Sequence, residues 1–275
     1  MDNRCLPPAD PYQPHFHGFF RKLRELDIFD DTPGCEDMYG AEHAAFYDLF
    51  AADYVGDIPL FERYLPSAGG ARVLDLGCGS GRIGFPLANK GHFVDGLELS
   101  QGMLQLAERR LHKEPADVQS RLRFIQKDMS DFDLGSQYDL IVIGATSISL
   151  LLLPEQRQNL LECAYYHLKP GSHLIFDILN HSKNTWHSDV WSKETDDGME
   201  VAIVSQEFYP ERGVFTFNML RESIDWDGNT RRTLGTSTKA MLMQDEILTA
   251  LHTANLKVVE QFEHLESQFF VATKK

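Results

Sequence analysis

The 275 residues carry 26 Lys and Arg against 41 Asp and Glu, a formal charge of −15, which argues against sequence-independent nucleic-acid binding, since that needs clustered cations. Apolar residues at 43% and charged residues at 24% are ordinary for a globular chain, and no apolar run approaches the roughly 20 residues of a membrane helix. The first residues show no basic-then-apolar signal pattern. Cys5, Cys35, Cys78 and Cys163 have no CxxC spacing, so neither a zinc site nor a disulfide framework is expected. The expectation is a soluble, cytoplasmic protein with reduced thiols and no partner in nucleic acid or membrane.

Residues 1–18 hold four prolines among polar and aromatic residues and read as an irregular arm. A short helix is expected over 19–29, broken by 30–34. Residues 41–54 read as a helix on which His43, Tyr47, Phe50 and Tyr54 share one face, as packing aromatics or as a lid over a ligand. Another short helix over 58–65 is stopped by Pro66. Alternation then sets in: strand 72–76, helix 81–90, strand 92–98, helix 101–111, strand 121–126, strand 138–144, helix 154–168, strand 172–178. Strands separated by helices imply βαβ units and a parallel sheet that binds ligands at the carboxyl ends of its strands. Ser100 reads as a helix cap, Gly91 as a helix stop and Pro154 as a first helical residue. After residue 180 the pattern changes to about three antiparallel strands within 199–243, before a helix over 244–255 and strands at 256–263 and 268–273. This divides the chain into an arm and helical cap at 1–66 and a main domain at 67–275, the latter carrying a β-rich insertion at about 181–243.

The stretch Val73-Leu-Asp-Leu-Gly-Cys-Gly-Ser-Gly81 joins a buried strand to a glycine turn. Glycines there let the backbone approach a ligand, and the following helix start offers unpaired N–H donors. Gly79-Ser-Gly81-Arg-Ile-Gly84 also fits the GxGxxG of nicotinamide and flavin enzymes. Glu98, 21 residues after Gly77, suits the ribose hydroxyls in either case. Lys127-Asp128-Met129 follows the third strand of the alternating set, and Gly144-Ala-Thr-Ser-Ile-Ser149 the fourth.

The sequence Asp75-Leu-Gly-Cys-Gly-Ser-Gly81, with an acid two residues ahead of the first glycine, resembles the first motif of class I S-adenosylmethionine (SAM) dependent methyltransferases. The helix and strand pair that end the chain fit that fold better than a nicotinamide domain. The resemblance implies an α/β, Rossmann-like fold: a mainly parallel seven-stranded sheet with helices on both faces, an N-terminal helical cap and an antiparallel insertion. The layout is similar to that of glycine and amino-sugar N-methyltransferases. It implies SAM contacts from Asp75, Gly77, Cys78, Gly79, Gly81, Glu98, Leu99, Met103, Asp128, Met129, Gly144 and Ala145, and from a cap aromatic, Tyr39 or Tyr47. Asp128 stays open between an adenine ligand and a loop cap, and Met103 between adenine wall and core. His43, Tyr47, Thr146 and His181 are candidates for acceptor binding or base work. No Asn-Pro-Pro-Tyr type motif follows the fourth strand, which under the resemblance points away from nucleic-acid and protein glutamine substrates. No metal-ligand spacing stands out, so metal independence is expected.

The implied reaction is methyl transfer to a small molecule in secondary metabolism, more on nitrogen than on oxygen, leaving S-adenosylhomocysteine. Two alternatives remain open. One is a cyclase in which SAM's own amine attacks its aminocarboxypropyl arm, giving azetidine-2-carboxylate and methylthioadenosine. The other is a non-catalytic SAM-binding partner protein. A homodimer is compatible with the sequence, which leaves the oligomeric state open.

Overall fold

The computed structural model describes residues 36–51, 54–180 and 187–274. In chain order these hold strand β1 (Glu36–Asp37), helices α1 (Ala41–Ala51) and α2 (Ile58–Glu62), then β2 (Arg72–Leu76), α3 (Gly84–Asn89), β3 (Phe93–Glu98), α4 (Gln101–Leu111), α5 (Ala116–Gln119), β4 (Leu122–Gln126) and β5 (Tyr138–Ile143). A 3-10 turn at Ser147–Leu150 leads to α6 (Pro154–His167) and β6 (Leu168–Leu179). Next come β7 (His187–Thr195), β8 (Gly198–Tyr209), β9 (Val214–Asp225) and β10 (Thr230–Ala240), and the described chain closes with α7 (Gln244–Thr253), β11 (Leu256–His264) and β12 (Ser267–Lys274). Two compact units result, one of residues 36–49 and 187–241, the other of residues 50–51, 54–180 and 242–274. No helix among the described residues is long and apolar enough to cross a membrane.

The larger unit is built on a seven-stranded sheet of order β11-β12-β6-β5-β2-β3-β4. Strands β4, β3, β2, β5 and β6 are parallel, and β12 is antiparallel to both of its neighbours. The unbroken apolar runs Val73-Leu74 and Leu140-Ile-Val-Ile143 are fully buried, as parallel strands covered on both faces require. The helix ends follow their local chemistry: Ser100 Oγ accepts from Met103 N at 3.2 Å to cap α4, and Gly91 leaves α3 at φ +89°. Phe61, Val73, Phe85, Leu140, Val142, Ile175, Phe269 and Val271 belong to one continuous core cluster, each large side chain contributing roughly 2 kcal/mol or more. The closing strand pair completes one side of the sheet: β12 runs antiparallel between β6 and β11, and β11 is the edge.

The smaller unit is a five-stranded sheet of order β1-β10-β9-β8-β7. Its antiparallel part has four long strands rather than three. Strand β7 lies outside the strands expected because His187-Ser-Asp-Val-Trp-Ser-Lys-Glu-Thr195 is polar except for Val190 and Trp191, as suits an edge strand. Gly213 and Gly228 turn the corners beside β9 at φ +65° and +85°. Helix α1 lies on one face of this sheet: the Arg221 guanidinium is 5.0 Å from the Phe46 ring, and a Cβ at Gly235 would lie 3.4 Å from His43 Nδ1. The described part of the helix runs to Ala51, and Tyr54 itself is not helical, so it does not extend the aromatic face expected over 41–54.

Candidate active site

Strand β2 feeds straight into the glycine turn, where Gly77, Gly79 and Gly81 have φ of +72°, +56° and +90°. The turn is satisfied largely from within. The amides of Gly77 and Cys78 both donate to Leu97 O at 2.9 Å, and the amide of Gly81 donates to Cys78 O. Gly79 N donates to Glu98 Oε2 at 2.9 Å, and Ser100 N donates to Glu98 Oε1 at 2.8 Å. The amides of Gly77, Cys78 and Gly79 are thus engaged by the β3 end and that of Gly81 within the turn, and the carboxylates of Asp75 and Glu98 lie beside them. A pyrophosphate would want the reverse.

Asp75 is the buried member of this set. Neither of its carboxylate oxygens has a hydrogen-bond partner among the described residues. Burial raises its pKa to about 7; Arg82 opposes the rise, while Asp57 and Glu98 add to it. Arg82 is itself held by Asp57 at 2.5 and 2.8 Å and by Tyr54 O at 2.7 Å, with its guanidinium 5.0 Å from the Tyr54 ring. The Tyr54 hydroxyl is pushed up to about 12 by burial and by the charges of Asp57 and Asp177. Asp57, Arg82 and Tyr54 were not among the residues expected at the site. The charged residue directly after the glycine turn was the available signal, but its partner lies 25 positions earlier and no local pattern links the two.

The ends of β4 and β5 close on the same turn. A Cβ at Gly77 would lie 3.1 Å from Ser147 Cβ and 3.8 Å from Met129 Sδ, and one at Gly144 would lie 3.0 Å from Arg82 Nη2. Ala145 and Thr146 both take positive φ, +53° and +57°, an uncommon backbone state outside glycine. Thr146 N donates to Asp177 Oδ1 at 3.0 Å, which ties the β5 end to β6. Asp128 Oδ1 accepts from Ser130 N and Ser130 Oγ at 2.7 and 2.8 Å. The local cap is thus real, and it engages one of the two carboxylate oxygens.

Residues 73–171 match the family model described as a methyltransferase domain. Residues 73–171 thus resemble a methyltransferase domain in sequence, and the larger unit has the fold of such domains. A ubiquinone biosynthesis O-methyltransferase of Alkalilimnicola ehrlichii is 32% identical over 119 residues, 42% of this chain and 45% of that one. A protein of Geobacillus sp. (strain WCH70) named as a methyltransferase is 31% identical over 110 residues, 40% of this chain and 43% of that one. The chain thus spans less than half the length of these curated relatives. Among solved structures, the sugar N-methyltransferase KedS8 from Streptoalloteichus sp. superposes with a TM-score of 0.72 at 20% identity, covering 90% of this chain and 96% of that one.

Within the larger unit, the fold brings Asp75, Gly77, Gly79, Gly81, Glu98, Met129, Gly144 and Ala145 to the carboxyl ends of adjacent strands. Leu99 is exposed there, and Met103 is buried on α4. The Cys78 side chain turns away into the core: a Cβ at Gly96 would lie 2.8 Å from its Sγ, and burial, with Asp75 and Glu98, pushes its thiol up. Tyr39, His43 and Tyr47 belong to the smaller unit, and His43 is buried there. His181 lies outside the described residues, as do Cys5, Cys35 and the arm and helix expected over residues 1–29. No group of three metal-ligating side chains occurs among the described residues. The chemistry of the assembled set fits a cationic ligand with hydroxyls: one unpartnered buried carboxylate, a second carboxylate fixed at the turn, and a third after β4.

Proposed function

We propose that this chain binds SAM over the turn between β2 and α3 and transfers its methyl group to a small-molecule acceptor, on nitrogen rather than oxygen, in cytoplasmic secondary metabolism. The observation that carries the reading is Asp75, a buried carboxylate whose two oxygens find no partner among the described residues. A buried unsatisfied acceptor costs on the order of 1–3 kcal/mol, and a cationic ligand with N–H donors offsets that cost. In this reading Glu98 accepts the ribose hydroxyls, Asp128 Oδ2 the adenine amino group, and Leu99, Met103 and Met129 enclose the ring. Gly77, Cys78, Gly79 and Gly81 give the ligand room along the backbone, Gly144 and Ala145 line the methionine portion, and Tyr39 or Tyr47 offers a ring face to the sulfonium. Tyr54 joins them beside Arg82. Thr146, His43, Tyr47 and His181 serve the acceptor.

SAM supplies an already activated methyl group, so the chain's task is mainly in-line positioning. Fold similarity to a sugar N-methyltransferase over 90% of the chain supports nitrogen as the target. The test is mass spectrometry of the purified protein with SAM alone and then with small amines. Adenosylhomocysteine that forms only with an acceptor is the expected outcome. Enzyme-dependent methylthioadenosine from SAM alone would overturn the reading and make SAM the substrate of a cyclase.

A further inference from the structure

Gly144-Ala-Thr-Ser147 closes into a tight turn, with Ser147 N donating to Gly144 O at 3.1 Å and both central residues left-handed, at φ +53° and +57°. That is the type I′ geometry, which ordinarily takes Asn-Gly or Asp-Gly because both central residues need positive φ. Ala145 has no polar side chain to ease this state, and Thr146 is β-branched, the kind of residue for which it is a genuine outlier. Such strain persists only where the surroundings over-determine it, and it clusters at functional sites. The surroundings here are specific, and all lie in the larger unit. A Cβ at Gly144 would lie 2.7 Å from Ile83 Cδ1 and 3.5 Å from Asp57 Oδ2, and one at Gly77 would lie 3.1 Å from Ser147 Cβ, so both ends of the turn are wedged. Between them, the Ala145–Thr146 peptide gives its N–H to Asp177 Oδ1 at 3.0 Å, and Asp177 is only 3% exposed on β6. The ordinary type I turn is the mirror image of this one and turns the same peptide over, bringing its carbonyl toward the carboxylate. One buried acid therefore attracts the strained form and repels the relaxed one.

We infer that Asp177 is a positioning residue for methyl transfer: it holds the Ala145–Thr146 turn left-handed, and that form aims the donor methyl group at the acceptor; this rests on the methyltransferase reading above. The turn reaches the donor through Ser147, which packs on Gly77 in the glycine turn where SAM is proposed to lie. A relaxed turn shifts that wall of the site but leaves the carboxylates of Asp75, Glu98 and Asp128 in place. Aim is then lost while affinity is kept. A misplacement of about 1 Å at the reacting atoms costs on the order of a hundredfold in rate.

The test uses the full chain saturated with SAM carrying carbon-13 in its methyl group, read by NMR and by calorimetry, and needs no acceptor. The wild type is expected to give one bound methyl signal, displaced from that of free SAM. Asp177→Ala is expected to move the signal at least halfway back or to split it, with SAM affinity within about threefold of wild type. Asp177→Asn, which keeps an oxygen acceptor for the Thr146 amide, is expected to retain the wild-type signal. Ala145→Gly added to Asp177→Ala is expected to restore most of it, since glycine holds positive φ at no steric cost. A merely structural Asp177 would show neither rescue. Asp177→Ser, polar but too short to reach the amide, takes the place of Asp177→Ala if that variant does not fold. An unchanged signal in Asp177→Ala, a loss of its SAM affinity beyond about tenfold, or no return of the signal in the double variant overturns the inference and leaves the methyltransferase reading standing. Absence of SAM binding to the wild-type chain overturns the methyltransferase reading instead.

Discussion

Arg82 grips Asp57 with both terminal nitrogens, at 2.5 and 2.8 Å, from the position directly after the glycine turn. The pair is almost wholly buried, with side-chain exposures of 11% and 1%. Removing one member leaves the other charge uncompensated, which costs about 3–5 kcal/mol. Asp57→Ala is therefore expected to lose stability of that order in urea unfolding, and Asp57→Ala combined with Arg82→Met to lose less. A single-mutant loss under about 1 kcal/mol would show that the pair is not the anchor of the turn.

The three turn glycines separate steric need from ligand need. A Cβ at Gly79 meets nothing within 4 Å, so Gly79→Ala carries only the left-handed backbone cost, about 1–2 kcal/mol. A Cβ at Gly81 would lie 2.6 Å from Phe85 and 2.9 Å from Phe124, adding about 1–3 kcal/mol of overpacking. Unfolding should rank Gly81→Ala well below Gly79→Ala in stability, while Gly79→Ala still folds and loses SAM affinity. Equal stabilities would contradict the geometry of the turn.

Asp75 makes the fold and the ligand pull in opposite directions. Its pKa is about 7 in the folded chain against 3.8 for an ordinary Asp. Stability from this group is fully present below about pH 4 and is lost as pH rises through about 7, at about 1.4 kcal/mol for each pH unit between the two values. Asp75→Asn should flatten that part of the stability profile and stabilise the protein at pH 8. The same variant should bind SAM far more weakly, with a larger loss for SAM than for adenosylhomocysteine, which lacks the sulfonium charge. Wild-type affinity for SAM should rise with pH across the same window. A substitution that leaves SAM affinity intact would remove Asp75 from the site.

Glu98 acts on both ligands alike. Its carboxylate holds Gly79 N and Ser100 N and, in the proposed complex, the ribose common to SAM and its product. Glu98→Ala should weaken both by a similar factor, about 30-fold or more from roughly 2 kcal/mol of charge-assisted hydrogen bonding. Calorimetry on the two ligands decides this, and a loss confined to one of them would assign Glu98 a different contact.

The parts of this protein legible in its sequence are those fixed by local rules. The apolar residues of 73–76 and 140–143, the Ser100 cap and the Gly91 stop each state their role within a few residues, so the order of the βαβ elements was legible, while β6 begins four residues before the expected strand and α3 three residues after the expected helix start. The glycine spacing with Asp75 and Glu98 located the turn in the same way. Long-range choices were hidden. Nothing local says that Asp57 pairs with Arg82, that Leu97 O takes two turn amides, or that the polar run 187–195 is a strand whose order comes from its neighbour β8. The helix predicted over 41–54 keeps its start, but Tyr54 lies outside it, and His43 and Phe46 pack on the sheet beneath the helix, a partner that local spacing does not name.

Strand β12 has a consequence for how this protein comes into being. Its residues supply Phe269, Phe270, Val271 and Ala272 to the deep interior and fill the gap between β6 and β11, more than 80 positions after β6 ends. The larger sheet cannot close while residue 274 is still inside the ribosome, even though its parallel strands were made long before. Nascent chains will spend that interval with the flank of β6 bare, a sheet edge open to other strands. Production of this protein should accordingly be more sensitive to chaperone supply and to loss of 267–274 than its final stability suggests.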